Sequence, residues 1–153
     1  MIILRKLYLM VLAFMIVTAA WGIFSLDLNT SSIDFGSNLN PDSSPFNKSS
    51  AVIATVKNSD ALNNWSLQTN AAGDITSNVQ STTIPINQLQ LKGGSLLNFT
   101  ALRVTPSLEI DTGTSSAGVG TFNIVMDYRL ILKWNNVAAS DYKAIIWYTL
   151  TGL

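Results

Sequence analysis

The stretch Phe122–Trp134 reads FNIVMDYRLILKW, and its alternation decides the fold class. A repeat of two is typical of a β-strand, because a helix places side chains three and four positions apart on one face. Thirteen residues is long for one strand, so we expect a bend or a β-bulge near Asp127–Arg129. The predicted apolar face consists of Phe122, Ile124, Met126, Tyr128, Leu130, Leu132 and Trp134.

A second alternating run, Tyr142–Thr151, follows a polar connection at Asn135–Asp141. The two runs predict an antiparallel hairpin that closes the domain. Ile145 and Trp147 make the second face of this run partly apolar as well, which favours a central position in a sheet or an outer face covered by another part of the structure. The first face carries Tyr142, Ala144, Ile146, Tyr148 and Leu150.

Shorter strand-like segments, separated by turn residues, occupy the rest of the chain after residue 20. Ile84–Leu91 changes face between Ile86 and Leu89, which predicts a β-bulge. Residues 36–50, 70–82 and 112–120 are rich in turn formers and are expected to be loops. About seven to nine strands at this spacing predict an all-β fold, a single antiparallel Ig-like β-sandwich over residues 21–153, with a barrel as the less favoured closure. The other expected strands are Leu26–Asn29, Ile33–Phe35, Ala51–Lys57, Trp65–Asn70, Leu96–Val104 and Ser107–Asp111.

Residues 1–20 have the three-part layout of a secretory signal peptide. Arg5 and Lys6 precede the apolar run Leu7–Ala20, and either Val17-Thr18-Ala19 or Thr18-Ala19-Ala20 supplies the small residues that a signal peptidase requires. We therefore expect an exported protein, extracellular or at the cell surface, that meets the membrane only through this segment. The alternative is an uncleaved anchor that extends to about residue 24, since such a segment approaches the minimum length of a membrane span.

Composition excludes several classes of function. Without Arg5 and Lys6, seven basic residues face nine acidic ones, a net charge of −2 after residue 20. That balance does not provide the basic surface that nucleic-acid binding requires, so no nucleic-acid partner is expected. The sequence contains no Cys and no His, which excludes a thiol nucleophile, a zinc–thiolate site and the commonest general base. We expect no enzyme activity, no catalytic residues and no cofactor.

Two carboxylate pairs are the remaining candidates for acid–base chemistry. Glu109 and Asp111 are two residues apart, so on a regular strand they would point the same way, and Asp127 with Asp141 is the other pair. Catalysis by two carboxylates needs them on either side of a substrate bond. A pair beside a glycine-rich turn is more often a solvated strand edge, so a secreted hydrolase is the lowest-ranked function.

Calcium binding is a further possibility, because this ion takes oxygen ligands from loops. Asp60, Asp74 and Asp111 lie in predicted turns, but no D-x-D-x-D-G pattern occurs. Aspartate is also a common turn residue, so no metal site is expected.

Large aromatic residues are concentrated in three predicted strands. Trp65, Trp134 and Trp147 are expected to fill the interior, as tryptophan does in most sandwiches. The competing interpretation concerns Trp147, which lies on the face opposite Ile146 and Tyr148. An exposed tryptophan there would suit stacking on a sugar or contact with a protein.

The motif Trp65-Ser66-Leu67, with Tyr142–Leu150 near the C-terminus, resembles the WxL domain of Gram-positive surface proteins. The similarity extends to Ile33–Gly36 and Tyr128–Leu130. The resemblance implies a secreted all-β domain, attached non-covalently to the cell wall and associated with peptidoglycan. Two residues separate Trp147 from Leu150, where the family has one. The binding residues that the resemblance implies are Trp65, Leu67, Trp147 and Leu150.

Together these features predict a non-enzymatic surface protein whose partners are cell-wall glycan or other surface proteins. The alternative is a structural subunit of an extracellular pilus or filament, with self-association through sheet edges. In that alternative, the semi-apolar segment Trp21–Leu28 is the strand that one subunit donates to the next.

Overall fold

The computed structural model describes residues 24–35, 39–59, 64–78, 80–114, 119–136 and 142–152. The expected signal peptide at 1–20 and Trp21 lie outside these ranges. So do Asp60 and Asp141. No helix in the described ranges has the length and apolar character needed to cross a membrane.

Ten β-strands make up most of the described chain, and they confirm the all-β prediction. Two short 3-10 turns, Pro41–Ser43 and Ile86–Gln88, interrupt them. The strands are β1 (Phe24–Leu28), β2 (Phe46–Asn58), β3 (Trp65–Ala71), β4 (Ile75–Ser77), β5 (Thr82–Ile84), β6 (Leu89–Gly93), β7 (Leu96–Ala101), β8 (Leu108–Gly113), β9 (Gly120–Leu130) and β10 (Ile146–Gly152).

The strands form a sandwich-like arrangement of antiparallel sheets. One sheet has five strands in the order β1-β2-β9-β6-β7, and the other has three in the order β10-β3-β8. Strands β4 and β5 form a separate hairpin, linked by a bridge between Thr76 and Lys143 to the segment before β10. The turn between β6 and β7 reaches the smaller sheet, since the amide of Ser95 donates to the carbonyl of Ile110 over 2.9 Å.

The core lies between the inner faces of the two large sheets. Trp65 on β3 is 1% exposed, and its ring contacts that of Phe122 on β9 with centroids 5.4 Å apart. Tyr128 on β9 and Tyr148 on β10 also meet across the interface through a bond between their hydroxyl groups. The apolar residues buried in this core include Val52, Ala54, Val56, Leu67, Leu91, Ile110, Ile124, Met126 and Leu130.

Strand β9 has the predicted alternation of buried and outward side chains, but it ends before the predicted end at Trp134. Ile124, Met126, Tyr128 and Leu130 are buried as expected. The strand stops at Leu130: the amide of Ile131 still donates to the carbonyl of Gln88, but that of Leu132 donates to Ser44 Oγ. Trp134 then lies in a turn and is 72% exposed, so the prediction that it belongs to the core is wrong.

The predicted bulge occurs opposite Asp127, on the partner strand. The β2–β9 register shifts between Lys48, opposite Tyr128, and Val52, opposite Met126, so β2 contains two extra residues there. Ser50, inside the shift, has a φ of 49°, and its amide donates to Asp127 Oδ1 over 2.8 Å. The carboxylate therefore satisfies a backbone group that the bulge removes from the ladder.

The predicted terminal hairpin is wrong. β9 lies between β2 and β6 in the five-stranded sheet, whereas β10 pairs only with β3 in the other sheet. β10 is thus an edge strand and not a central one, and the connection after β9 crosses from one sheet to the other. Its partly apolar outer face is exposed and not covered by a second layer, because Ile145 and Trp147 are both exposed.

Local boundaries differ elsewhere for identifiable reasons. The face change within Ile84–Leu91 comes from the 3-10 turn Ile86–Gln88 and not from a bulge. The expected loop at 36–50 contains the start of β2, the one at 70–82 contains most of the β4–β5 hairpin, and Ile33–Phe35 is not a strand. Short polar segments carry too little periodicity to distinguish strand from loop.

Candidate functional site

The strongest candidate for a binding surface is the outer face of the three-stranded sheet near Trp147. This side chain is 57% exposed on the edge strand β10, directly opposite Asn70 of β3. Ile145, two residues before it, and Val104, in the loop after β7, are exposed apolar residues beside the same strand end. A large aromatic ring on a polar sheet face is the kind of feature that contacts a ligand or a partner.

Alternation along β10 places Trp147 outward. Its neighbours Ile146 and Tyr148 point inward and pack against the core. The Thr69 hydroxyl donates to the Trp147 carbonyl over 2.8 Å, which ties this part of the edge strand to β3. The tryptophan is therefore presented by a fixed backbone, which limits the entropy lost when a ligand binds.

The hydrogen bond between the hydroxyls of Tyr128 and Tyr148 connects the inner face of β10 to the opposite sheet. Burial raises the pKa of Tyr148 to about 12, with the hydrogen bond from Tyr128 partly opposing that shift. Burial also raises the pKa of Tyr128 far above its ordinary value, reinforced by the nearby Tyr148. Both hydroxyls thus stay protonated at neutral pH, and each keeps its hydrogen-bonding role.

The side-chain amide of Asn70, which lies opposite Trp147, is oriented by its hydrogen bonds. Its side-chain nitrogen donates to the carbonyls of Val104 at 3.2 Å and Ala71 at 3.4 Å. Both partners are acceptors, so the amide nitrogen must face them. Asn70 Oδ1 has no hydrogen-bond donor among the residues that the structure describes, and it remains available beside Trp147.

On the same face, the side chains of Gln68, Ser66 and Glu109 form a hydrogen-bonded row. Ser66 Oγ donates to Glu109 Oε2 over 3.1 Å, and Gln68 Nε2 donates to Ser66 Oγ over 3.3 Å. Since a carboxylate only accepts, the single Ser66 proton is committed to Glu109, which fixes the amide orientation of Gln68. Gln68 Oε1 therefore joins Asn70 Oδ1 as an acceptor on the outer face.

The four residues implied by the resemblance are not brought together on one surface. Trp65 and Leu67 are fully buried on β3, and Leu150 is half-buried and packed against the core. Trp147 is the member of this set with an exposed side chain. Trp147 is therefore the member of this set that can contact a ligand.

The candidate carboxylates have separate partners. Glu109 accepts from Ser66 on β3, whereas Asp111 accepts from the Ser95 hydroxyl in the β6–β7 turn, over 3.1 Å. The β3–β8 register shifts between Leu67 and Gln68, which breaks the regular spacing that would aim both carboxylates the same way. Asp127 accepts a hydrogen bond from the Ser50 amide in the β2 bulge.

The calcium candidates are likewise used locally. Asp74 Oδ1 accepts from the amide of Ile86 over 2.9 Å. Within the described ranges, no three His, Cys, Asp or Glu side chains are grouped as metal ligands.

An open pocket of about 290 Å³ lies elsewhere, where β2 ends and β9 begins. Its lining contains no aromatic ring, so it offers less for recognition than the surface around Trp147. The lining residues are Lys57, Asn58, Ser59, Val119, Gly120 and Thr121.

The favoured prediction that Trp147 fills the interior is wrong, and the competing interpretation of an exposed Trp147 is the one that the structure matches. Sequence reasoning missed the residues around it. The alternation of β3 placed Gln68 and Asn70 opposite Trp65 and Leu67, which was a usable signal for their exposure. What the sequence did not show was that β10 pairs with β3. No known protein-family profile matches this chain, and no curated protein is significantly similar to it in sequence.

Proposed function

We propose that this protein is a non-enzymatic, exported surface protein that binds cell-wall glycan through the outer face of β10, β3 and β8. The observation that carries the proposal is an exposed Trp147 beside the free side-chain carbonyls of Asn70 and Gln68. The signal-peptide layout of residues 1–20 and the resemblance to wall-associated domains point in the same direction.

The chemistry of the surface fits a carbohydrate. The apolar face of a sugar ring packs on an indole, and its peripheral hydroxyls donate hydrogen bonds to nearby acceptors. Asn70 Oδ1 and Gln68 Oε1 lie on the same face as Trp147, on the adjacent strand. A flat, open site of this kind suits a long polymer, because repeated weak contacts along many copies of the polymer unit increase the overall affinity.

Replacing Trp147 with alanine should weaken wall binding at least about tenfold, since a central aromatic contact typically contributes more than 1.4 kcal/mol. The measurement is co-sedimentation of the purified protein with isolated cell walls over a range of protein concentrations. Trp134→Ala is the matched control, because it removes an exposed tryptophan from a turn outside this surface. Equal losses in the two variants, or no loss with Trp147→Ala, would refute the proposed site.

A second candidate function is assembly into a filament by strand exchange, and the position of β1 favours it. β1 is an edge strand held by a five-residue register with β2, and Leu26 is its one side chain packed against the core. The connection to β2 is long, from Asn29 to Pro45, so β1 of one copy has enough chain to pair with β2 of another. Swapped pairing would use the same hydrogen bonds as the pairing within one chain.

Deletion of residues 21–32 should abolish polymerisation under this second candidate while leaving the antiparallel sheets formed by the other strands. Light scattering at increasing protein concentration reports assembly, and circular dichroism checks that the shortened chain is folded. Val125→Ser, on the outer face of the same sheet, serves as a control for loss of surface apolar area. An intact protein that stays monomeric at millimolar concentration would argue against strand exchange.

A further inference from the structure

The outer face around Trp147 has a surplus of acceptors over donors. Both donors of the Asn70 amide go to backbone carbonyls, and the amide of Gln68 and the proton of Ser66 are directed along the row toward Glu109. The side-chain atoms left over on this row are mostly oxygens: Asn70 Oδ1, Gln68 Oε1 and one carboxylate oxygen of Glu109. One N–H of Gln68 also remains, and the exposed hydroxyls of Thr149 and Thr151, opposite Gln68 and Ser66, can rotate to donate or accept.

Glu109 carries an uncompensated negative charge at the end of that row. Among the described residues it has no cation within ion-pair distance, and the salt bridge found there joins Lys57 to Asp27 at a distance from this face. Arg103, in the loop between β7 and β8, donates from its guanidinium to the Ser107 carbonyl. One carboxylate oxygen of Glu109 accepts from Ser66, so the other remains open to a ligand.

We propose that the glycan bound here carries free amino groups, that is, unacetylated hexosamine units. A sugar ring stacked on Trp147 presents hydroxyls to Asn70 and Gln68, and the ammonium of a neighbouring unit pairs with Glu109. Ammonium groups are pure donors, which is what an acceptor-rich surface with an unpaired carboxylate complements. This inference rests on the proposed glycan-binding function and specifies its ligand.

The spacing of the two anchors supports binding of a neighbouring unit. Trp147 lies opposite Asn70, and Glu109 lies opposite Gln68 on the far side of β3. The Cα atoms of Trp147 and Glu109 are two interstrand steps of about 4.8 Å apart across the sheet and two residues of about 3.4 Å apart along the strand. The distance between them is therefore roughly 12 Å. One ring on the indole therefore leaves Glu109 beside a unit further along the same chain.

The test compares two oligosaccharides of equal length, β-1,4-linked glucosamine and its fully N-acetylated form, by titration calorimetry with the purified protein at pH 6 and low salt. We expect the amino form to bind about fivefold more tightly, the effect of one exposed ion pair, and the preference to shrink as salt is added. Glu109→Gln should remove the preference, so that the ratio of the two affinities falls to about one. Asp42→Asn, an exposed carboxylate in the 3-10 turn near β2, is the control and should keep the preference.

Equal binding of the two oligosaccharides, tighter binding of the acetylated form, or a preference that survives in Glu109→Gln would overturn this inference. Binding of oligolysine as strongly as the amino oligosaccharide would also overturn it, because the ammonium alone would then explain recognition. The proposed glycan-binding function fails separately, when isolated cell walls do not retain the protein or retain Trp147→Ala equally well.

Discussion

Replacing Trp65 with alanine is expected to lower the free energy of unfolding by about 3–5 kcal/mol. The indole is 1% exposed between the two sheets and packs against Phe122 of the opposite sheet. Its other face lies on Gly113 of β8, so close that a Cβ atom at that glycine would overlap the indole ring. Removing the ring opens a cavity in the contact between the sheets, and the lining atoms lose their dispersion contacts.

The loss should be large relative to the total stability of a domain this size, which is typically about 5–15 kcal/mol. Without cysteines, no disulfide limits the unfolded chain and compensates for the lost packing. Urea unfolding followed by circular dichroism measures the difference, and the melting temperature should fall by about 10–20 °C.

Trp134→Ala is the matched control for this substitution, with an expected change within about 0.5 kcal/mol, because the side chain is exposed in a turn. A Trp65→Ala protein as stable as Trp134→Ala would contradict the packing of β3 against β9. Trp65→Phe should fall between the two, since a smaller ring keeps part of the contact with Phe122.

Replacing Gly93 with alanine is the second large effect, with an expected loss of about 2–4 kcal/mol. Gly93 ends β6 with a φ of 152°, a conformation that L side chains rarely adopt. Its Cβ would also collide with the Val125 carbonyl oxygen and lie 3.0 Å from Met126 Cα. These are backbone atoms of the neighbouring strand β9, which cannot move aside as a flexible side chain could.

Gly73→Ala distinguishes this steric effect from the general cost of losing a glycine. No atom lies within 4 Å of a Cβ placed at Gly73 in the turn before β4, so its substitution should change stability by less than about 1 kcal/mol. Thermal melting of the two variants side by side gives the comparison. Equal melting temperatures for the two alanine variants would contradict the close approach of β6 to β9 at Gly93.

The fold class was predictable because side-chain alternation is a local signal. Ile124, Met126, Tyr128 and Leu130 repeat every second residue, and a strand with one buried face is the conformation that satisfies this pattern. The same reasoning placed Val52, Ala54 and Val56 on the inner face of β2. In each case the pattern determined which face is buried.

Strand pairing was not predictable from the same signal. The pattern of β10 fits any partner that offers an apolar inner face, and adjacency in sequence favoured β9 over β3. The chain after Leu130 leaves the β6 ladder after Ile131, and the amide of Leu132 donates to Ser44 Oγ instead. Such bonds connect residues more than forty positions apart and leave no periodic trace in the sequence.

The candidate site was predictable in part for the same reason. Alternation put Trp147 on the face opposite Ile146 and Tyr148, but the acceptor-rich surroundings depend on the register between β10, β3 and β8. That register, including the shift beside Gln68, brings Asn70 and Glu109 to one face. The exposure of Trp134 was missed because a tryptophan at the end of a strong alternating run looks like core.

The start of the first described strand lies close to the end of the last. A Cβ atom placed at Gly152, at the end of β10, would lie 3.8 Å from the Phe24 ring at the start of β1. Trp147 is five residues back along β10, about 17 Å from that point. The chain that precedes Phe24 therefore joins the described structure about one strand length away from the exposed indole.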